Sequence, residues 1–207
     1  MSKKTLIVAV ALVAQVAAIS WLIWRYERVV SQGTEVRFAC QAYDPYDPLR
    51  GRYLRTSVRE DCTNLAFQVC ETNRYEFRNK LFARLELNGT NGLWRVVEVA
   101  VEPKAEGVWV RPKGSSIEHR IGWSDRGKDE KWEAFNKRQT TSGLKAVVTF
   151  PDQLFVNEKL APEAEKVLRK HTGKSAVAVY RVLDGEMVIT DIEIDGKPIA
   201  QFTREAK

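Results

Sequence analysis

Two carboxylates three positions apart, Asp44 and Asp47 in "DPYDPLRGRY" (residues 44–53), are the first candidates for chemistry. Such a pair can divide acid and base roles or hold a cation. Each is followed by proline, however, and Arg50 and Arg52 come directly after. An Asp beside Arg stays ionised and paired rather than poised to move protons. Proline fixes φ, an Asp carboxylate caps nearby amides, and Gly51 supplies the backbone freedom to re-enter a strand. The run therefore reads as a bend, with Tyr53 the first large residue of the next strand.

A second candidate is "KGSSIEH" (residues 113–119), which gathers Lys113, two serines and His119 in what reads as a polar loop. A serine hydrolase needs an activating base and an oxyanion site, and no nucleophile-elbow signature accompanies these residues. His119 and His171 are the only histidines and stand 52 positions apart, outside any compact ligand pattern. Surface histidines are the expectation, with no metal and no cofactor. "NGT" at Asn88 fits a glycosylation sequon, but Asn-Gly is first of all a hairpin turn.

Cys62 and Cys70 lie in one polar stretch, "DCTNLAFQVC", and are expected to bond, leaving Cys40 reduced in "VRFACQAY". The stretch must then turn back on itself, because eight helical steps would separate the Cα atoms by about 12 Å. A disulfide also needs an oxidising compartment, so bond and topology stand or fall together.

The elements that would position these residues are mainly strands. "TEVRFACQAY" alternates Val36, Phe38 and Cys40 against more polar neighbours, and "RYLRTSVR" resumes the extended pattern. "LFARLEL" and "LWRVVEVAVEP" flank a Gly/Asn-rich hairpin connection at residues 88–92. "GVWVRP", "KAVVTF", "SAVAVYRVL" and "EMVITDIEI" follow, the last two joined by Asp184-Gly185; Asp195-Gly196 then turns the chain into "KPIAQF". Two short helices are expected, "KDEKWEAFNKR" with Trp132 and Phe135 on one stripe, and "APEAEKVLRKHTG" with proline and acid first, bases last, and Gly173 closing it.

The N-terminus adds a longer helix. Thr5 to Trp24 is a 20-residue run without a charge. As a helix it spans about 30 Å, the thickness of a hydrocarbon core. Lys3 and Lys4 precede it, and Trp21 and Trp24 sit where an interfacial belt belongs. A cleaved signal peptide is the alternative, with Trp21 as the new N-terminus, but the apolar run continues through "WLIW" beyond that site. The 207 residues divide into an anchor (1–24), a charged connector (25–33) and a β-rich domain (34–207). The fold expected is mainly β, a single antiparallel domain with one or two short helices on a transmembrane helix. Its 44% hydrophobic content can supply a core. The net charge of +6 is spread among mixed signs with no basic arm, which argues against a nucleic-acid partner.

Asp44, Pro45, Asp47, Leu49, Arg50, Gly51 and Tyr53 fall in register with the motif of the GDYXXLXY family, small membrane-anchored bacterial proteins, which the chain resembles. Arg52 stands where the motif has Asp, Thr56 where it has Leu, and Val58 where it has the final Tyr. "LFARLELNGTNGLWRVVEVAVEP", "FPDQLFVNEKLAPEAEKVLRK" and "VLDGEMVITDIEIDGKPI" are similar to later family segments. The intervals 59–79 and 121–143 look like insertions on that scaffold. The resemblance implies a one-helix anchor in the inner membrane bearing an extracytoplasmic β domain, periplasmic or extracellular, often encoded beside a multi-pass membrane protein; it carries over no established activity. The function expected is a non-catalytic envelope protein that binds a membrane partner, such as a multi-pass protein, besides the lipid around the helix. The Leu-Arg-Gly-x-Tyr run is also similar to a strand of signal peptidases that follows their nucleophilic serine, so the alternative is a membrane-tethered hydrolase, with Asp44, Asp47 and Lys113 as candidates. No Ser-x-x-Pro precedes the run here; the matching stretch is "AYDPYDP".

Overall fold

The computed structural model describes residues 3–42, 53–69, 74–157, 159–172 and 175–205. Helix α1 (Lys3–Gln32) is long and apolar enough to cross a membrane, and every side chain from Lys3 to Arg28 is exposed. It does not stop at Trp24. Residues 25–32, read from sequence as connector, continue the helix onto the β domain.

That domain is mainly β, and its strand pairs are antiparallel. One sheet has the order β1 (Thr34–Ala39), β11 (Ala176–Leu183), β12 (Glu186–Ile194), β13 (Lys197–Pro198). A second runs β10 (Gln153–Phe155), β3 (Tyr53–Ser57), β2 (Gln41–Ala42). The third is β4 (Arg59–Cys62), β9 (Leu144–Thr149), β8 (Gly114–His119), and the fourth β6 (Trp94–Ala100), β5 (Phe82–Leu87), β7 (Val108–Val110). Short links join them. β3 passes into β4 through Val58, whose carbonyl accepts from the Phe150 amide, and Leu65 bridges to Val99 of β6.

Period-two burial explains why these sequences form strands. Val36, Phe38 and Cys40 face inward from β1 and its extension, as do Leu54, Thr56 and Val58 across β3. Inward residues of all four sheets meet in one core. At its centre the rings of Phe38 and Phe150 lie 4.8 Å apart, with Tyr180 6.1 Å from Phe38. The Tyr180 hydroxyl donates to the Pro151 carbonyl at 2.9 Å, which satisfies the one polar atom of the trio.

Turn chemistry sets the registers. Asp184-Gly185 and Asp195-Gly196 each place both central residues at positive φ, as two-residue hairpins require. Asn88 closes the β5–β6 connection, its amide donating to the Leu93 carbonyl at 2.7 Å.

Three short helices complete the domain. Helix α2 (Trp132–Thr141) buries Phe135, and α3 (Ala161–His171) buries Ala161, Ala164 and Leu168. Helix α4 (Ile199–Glu205) follows β13, where the sequence suggested only extended chain. It buries Ile199, and the Thr203 hydroxyl donates to the Ile199 carbonyl at 2.6 Å.

The junction of α1 with the domain is built closely. Val29 is buried, and its carbonyl accepts from the Gly33 amide at 2.9 Å. A methyl on Gly33 would run into that carbonyl and into the backbone of Val182. Arg28 pairs with Asp184 at 2.9 Å, and Arg25 pairs with Glu186. The Arg181 guanidinium donates to the Gly33 carbonyl at 3.2 Å.

Truncating Phe38 to Ala removes the ring that touches both other core aromatics. A loss of about 3–5 kcal/mol is expected. Leu87→Ala, at an exposed strand end, is expected to change stability by less than about 0.5 kcal/mol. Denaturant unfolding of the full chain in detergent, followed by near-UV circular dichroism, measures both.

Candidate functional site

Asp44, Pro45, Asp47, Leu49, Arg50 and Gly51 lie outside the described residues. Tyr53 opens β3, paired with Phe155 of β10. The strands flanking the run are antiparallel neighbours, with Gln41 opposite Ser57 and Ala42 opposite Thr56. Downstream, the two positions where this chain departs from the family's Leu and Tyr are Thr56 and Val58, both facing the core. Those motif positions are packing positions.

Lys113 is the one residue of the hydrolase alternative among the described residues. It pairs with Asp152, whose other carboxylate oxygen accepts from Arg55 Nε at 2.8 Å. The three line a hollow of about 420 Å³ floored by Thr56, Val58 and Phe150. Burial works against the Asp152 charge, but Lys113 and Arg55 together hold its carboxyl below the ordinary Asp value. This is an ionised carboxylate between two cations, a structural group rather than a proton carrier.

The "KGSSIEH" run is strand β8, not a loop. Its backbone pairs with β9 from Gly114 opposite Thr149 to His119 opposite Leu144. Ladder bonds and the inward Ser115 and Ile117 fix a polar sequence as a strand. Six strand steps separate Lys113 and His119 by about 20 Å, so the two cannot act on one atom. Ser116 Oγ donates to Glu118 at 2.9 Å, and Glu118 also accepts from Arg59 at 3.3 Å. Among the described residues no three His, Cys, Asp or Glu side chains converge as a metal site. His171 sits at the end of α3, with Nδ1 2.9 Å from the Val167 carbonyl oxygen.

Cys40 and Cys62 are buried thiols. Burial pushes the Cys40 thiol up to about 12 and raises that of Cys62. Cys62 Sγ lies 3.6 Å from the Asn64 carbonyl oxygen, and Cys70 is outside the described residues.

One concavity is formed by residues the sequence did not single out. A cleft of about 700 Å³ opens between β8, the turn at residues 74–79 and helix α2. Ser116 and Glu118 form its floor, Arg74, Tyr75 and Arg78 one wall, and Trp123, Asn136 and Gln139 the other. The second wall is braced from behind. Trp123 stacks on Trp132 with ring centroids 4.5 Å apart, and both lean on buried Phe135. The Asp125 carboxylate accepts from the Gly122 amide at 2.8 Å, and Gln139 Nε2 donates to the Ile121 carbonyl at 3.1 Å. Arg138 binds Glu130 at 2.8 Å and holds its carboxyl below the ordinary Glu value. Across the cleft, Arg74 donates to the Tyr75 hydroxyl at 2.9 Å and lies over that ring. No carboxylate among the described residues pairs with Arg74 or Arg78.

The lining side chains come from segments far apart in the chain, which is why spacing did not reveal the cleft. The two outer walls come from the intervals 59–79 and 121–143, which from sequence look like insertions. Their coming together was not legible.

The Asp152 arrangement has a pH signature. Its folded-state carboxyl value lies below the ordinary value of 3.8, so its stabilisation is complete above that value and is lost as pH falls through the folded value. Asp152→Asn is expected to lower stability at neutral pH by about 1–2 kcal/mol, since it leaves Arg55 and Lys113 facing one another. The gap from wild type should close as pH drops below about 4. Thermal unfolding of both proteins from pH 7 to pH 3 tests this.

The family described as GDYXXLXY protein matches over residues 15–192. No curated protein and no solved structure matches the chain.

Proposed function

The chain belongs to the GDYXXLXY protein family, and on that premise we propose that it is a single-pass envelope protein that works by binding rather than by catalysis. Helix α1 lies in the bacterial inner membrane and the β domain on its periplasmic side. The partner is a multi-pass membrane protein, met in the bilayer along the exposed faces of α1.

The observation that carries this reading is the junction. Val29, Gly33 and the pairs Arg28–Asp184 and Arg25–Glu186 join helix and domain without a loop. A protein that packs against α1 therefore receives the domain at a set position, which a flexible tether would not provide. Lys113, Asp152, Ser116 and Glu118 support binding over hydrolysis, because each is engaged in pairs that hold it in one state.

Intact mass of the protein purified from membranes tests the anchor, and retention of the Thr5–Trp24 segment is expected. A mature chain beginning at Trp21 or later would remove the anchor. Photo-crosslinkers placed at Leu12 and Val16 should trap one multi-pass protein in native membranes. Adducts with lipid alone would rule out the protein partner.

Orientation is tested by the cysteines. Alkylation without reductant, followed by peptide mapping, is expected to find Cys62 and Cys70 protected as a pair and Cys40 labelled only after unfolding. Three labelled cysteines in the unfolded chain would withdraw the disulfide and the compartment argument resting on it.

A further inference from the structure

The cleft between β8, the 74–79 turn and α2 combines features that together describe a ligand. It is concave and of a size that holds a small molecule. One wall carries two guanidinium groups with no carboxylate partner among the described residues. The only carboxylate on the floor, Glu118, is already occupied by Arg59 and Ser116. Other arginines of the domain are neutralised by carboxylates: Arg55 by Asp152, Arg84 by Glu98, Arg138 by Glu130, Arg181 by Glu35. A cleft whose two arginines meet no carboxylate among the described residues favours an anion, which the planar guanidinium forks can grip in two parallel hydrogen bonds.

The opposite wall is aromatic and amide-bearing. Trp123 is 63% exposed although it is stacked on Trp132, itself 43% exposed. A stacked indole pair, backed by a buried phenylalanine, presents a rigid flat surface with a negative face. The C–H face of a sugar ring fits such a surface, since its hydrogens carry slight positive charge. Asn136, beside it on α2, offers a donor and an acceptor for hydroxyl groups.

From this arrangement we propose that the cleft binds an acidic saccharide, its ring on Trp123 and its carboxylate or phosphate on Arg74 and Arg78. The site uses none of the residues at the junction of α1 with the domain. It stands or falls apart from the membrane partner.

The test is titration of the full chain in detergent, read by tryptophan fluorescence and by calorimetry. The probes are a galacturonic acid tetramer, glucose 6-phosphate, neutral maltotetraose, inorganic phosphate and a tetra-aspartate peptide. An acidic sugar should saturate the protein and change Trp123 emission. The Arg74→Ala/Arg78→Ala double variant should weaken it by about tenfold or more. Trp123→Ala should weaken both acidic sugars in a chain that still unfolds cooperatively, and Lys113→Ala, in the separate hollow, should leave them unchanged. Tighter binding of the tetramer assigns a carboxylated ligand, and tighter binding of glucose 6-phosphate a phosphorylated one. Equal binding of maltotetraose would overturn the role of charge. Equal binding of inorganic phosphate would overturn the sugar, and tighter binding of the peptide would replace it with an acidic protein segment. Silence of both acidic sugars at millimolar concentration would overturn the site altogether.

Discussion

The β11–β12 hairpin turns on two residues in left-handed backbone conformations, Asp184 at φ 51° and Gly185 at φ 81°, and several other elements take their places from it. The turn fixes the register of the two longest strands, and β1 is laid along β11 in turn. The Gly185 carbonyl accepts from the Arg111 amide at 2.8 Å, which brings the end of β7 and the fourth sheet to the same point. Asp184 and Glu186 hold the arginines of α1. A longer or looser turn would shift strand pairing by whole residues and exchange the inward and outward faces. Helix α1, the central sheet and β7 thus share one small constraint.

Much of this was legible because it is local. Alternation in "TEVRFACQAY" gives the burial of Val36, Phe38 and Cys40 directly, since side chains on a strand point to opposite faces in turn. Asp-Gly dipeptides mark their own turns. Proline, acid and base order mark α3, although Gly173, which should close it, lies outside the described residues. What escaped was set by contacts from elsewhere. β8 is polar and rich in serine, and it is a strand because β9 supplies its ladder, an interaction invisible in its own composition. α4 begins one residue after a proline that ends β13, and packing of Ile199 decides its conformation.

The candidate site divides in the same way. The family motif is readable as chemistry, but its later positions, Thr56 in β3 and Val58 in the link to β4, face the core beside Leu54, where side-chain volume and shape decide what fits. Apparent catalytic groups lose that character once their neighbours are placed: Lys113 meets Asp152, and Ser116 meets Glu118. The cleft shows the converse. Arg78 and Trp123 lie 45 positions apart and neither has a conspicuous local context. Only the fold sets them on facing walls, so no motif could announce them.

Helix α1 continues for eight residues beyond Trp24 before the chain first extends, and it is fastened where it ends. Such a rod is a lever. Its tilt answers to bilayer thickness and to the helices around it, with values near 20° common. A domain of this size is about 40 Å across, so a tilt of about 20° carries its far side roughly 14 Å along the membrane. On the membrane-spanning reading of α1, the thickness of the bilayer and the neighbours packed within it thus become a coordinate of the attached domain. A change in the lipid layer would reach the domain as displacement, with no ligand and no rearrangement of the core.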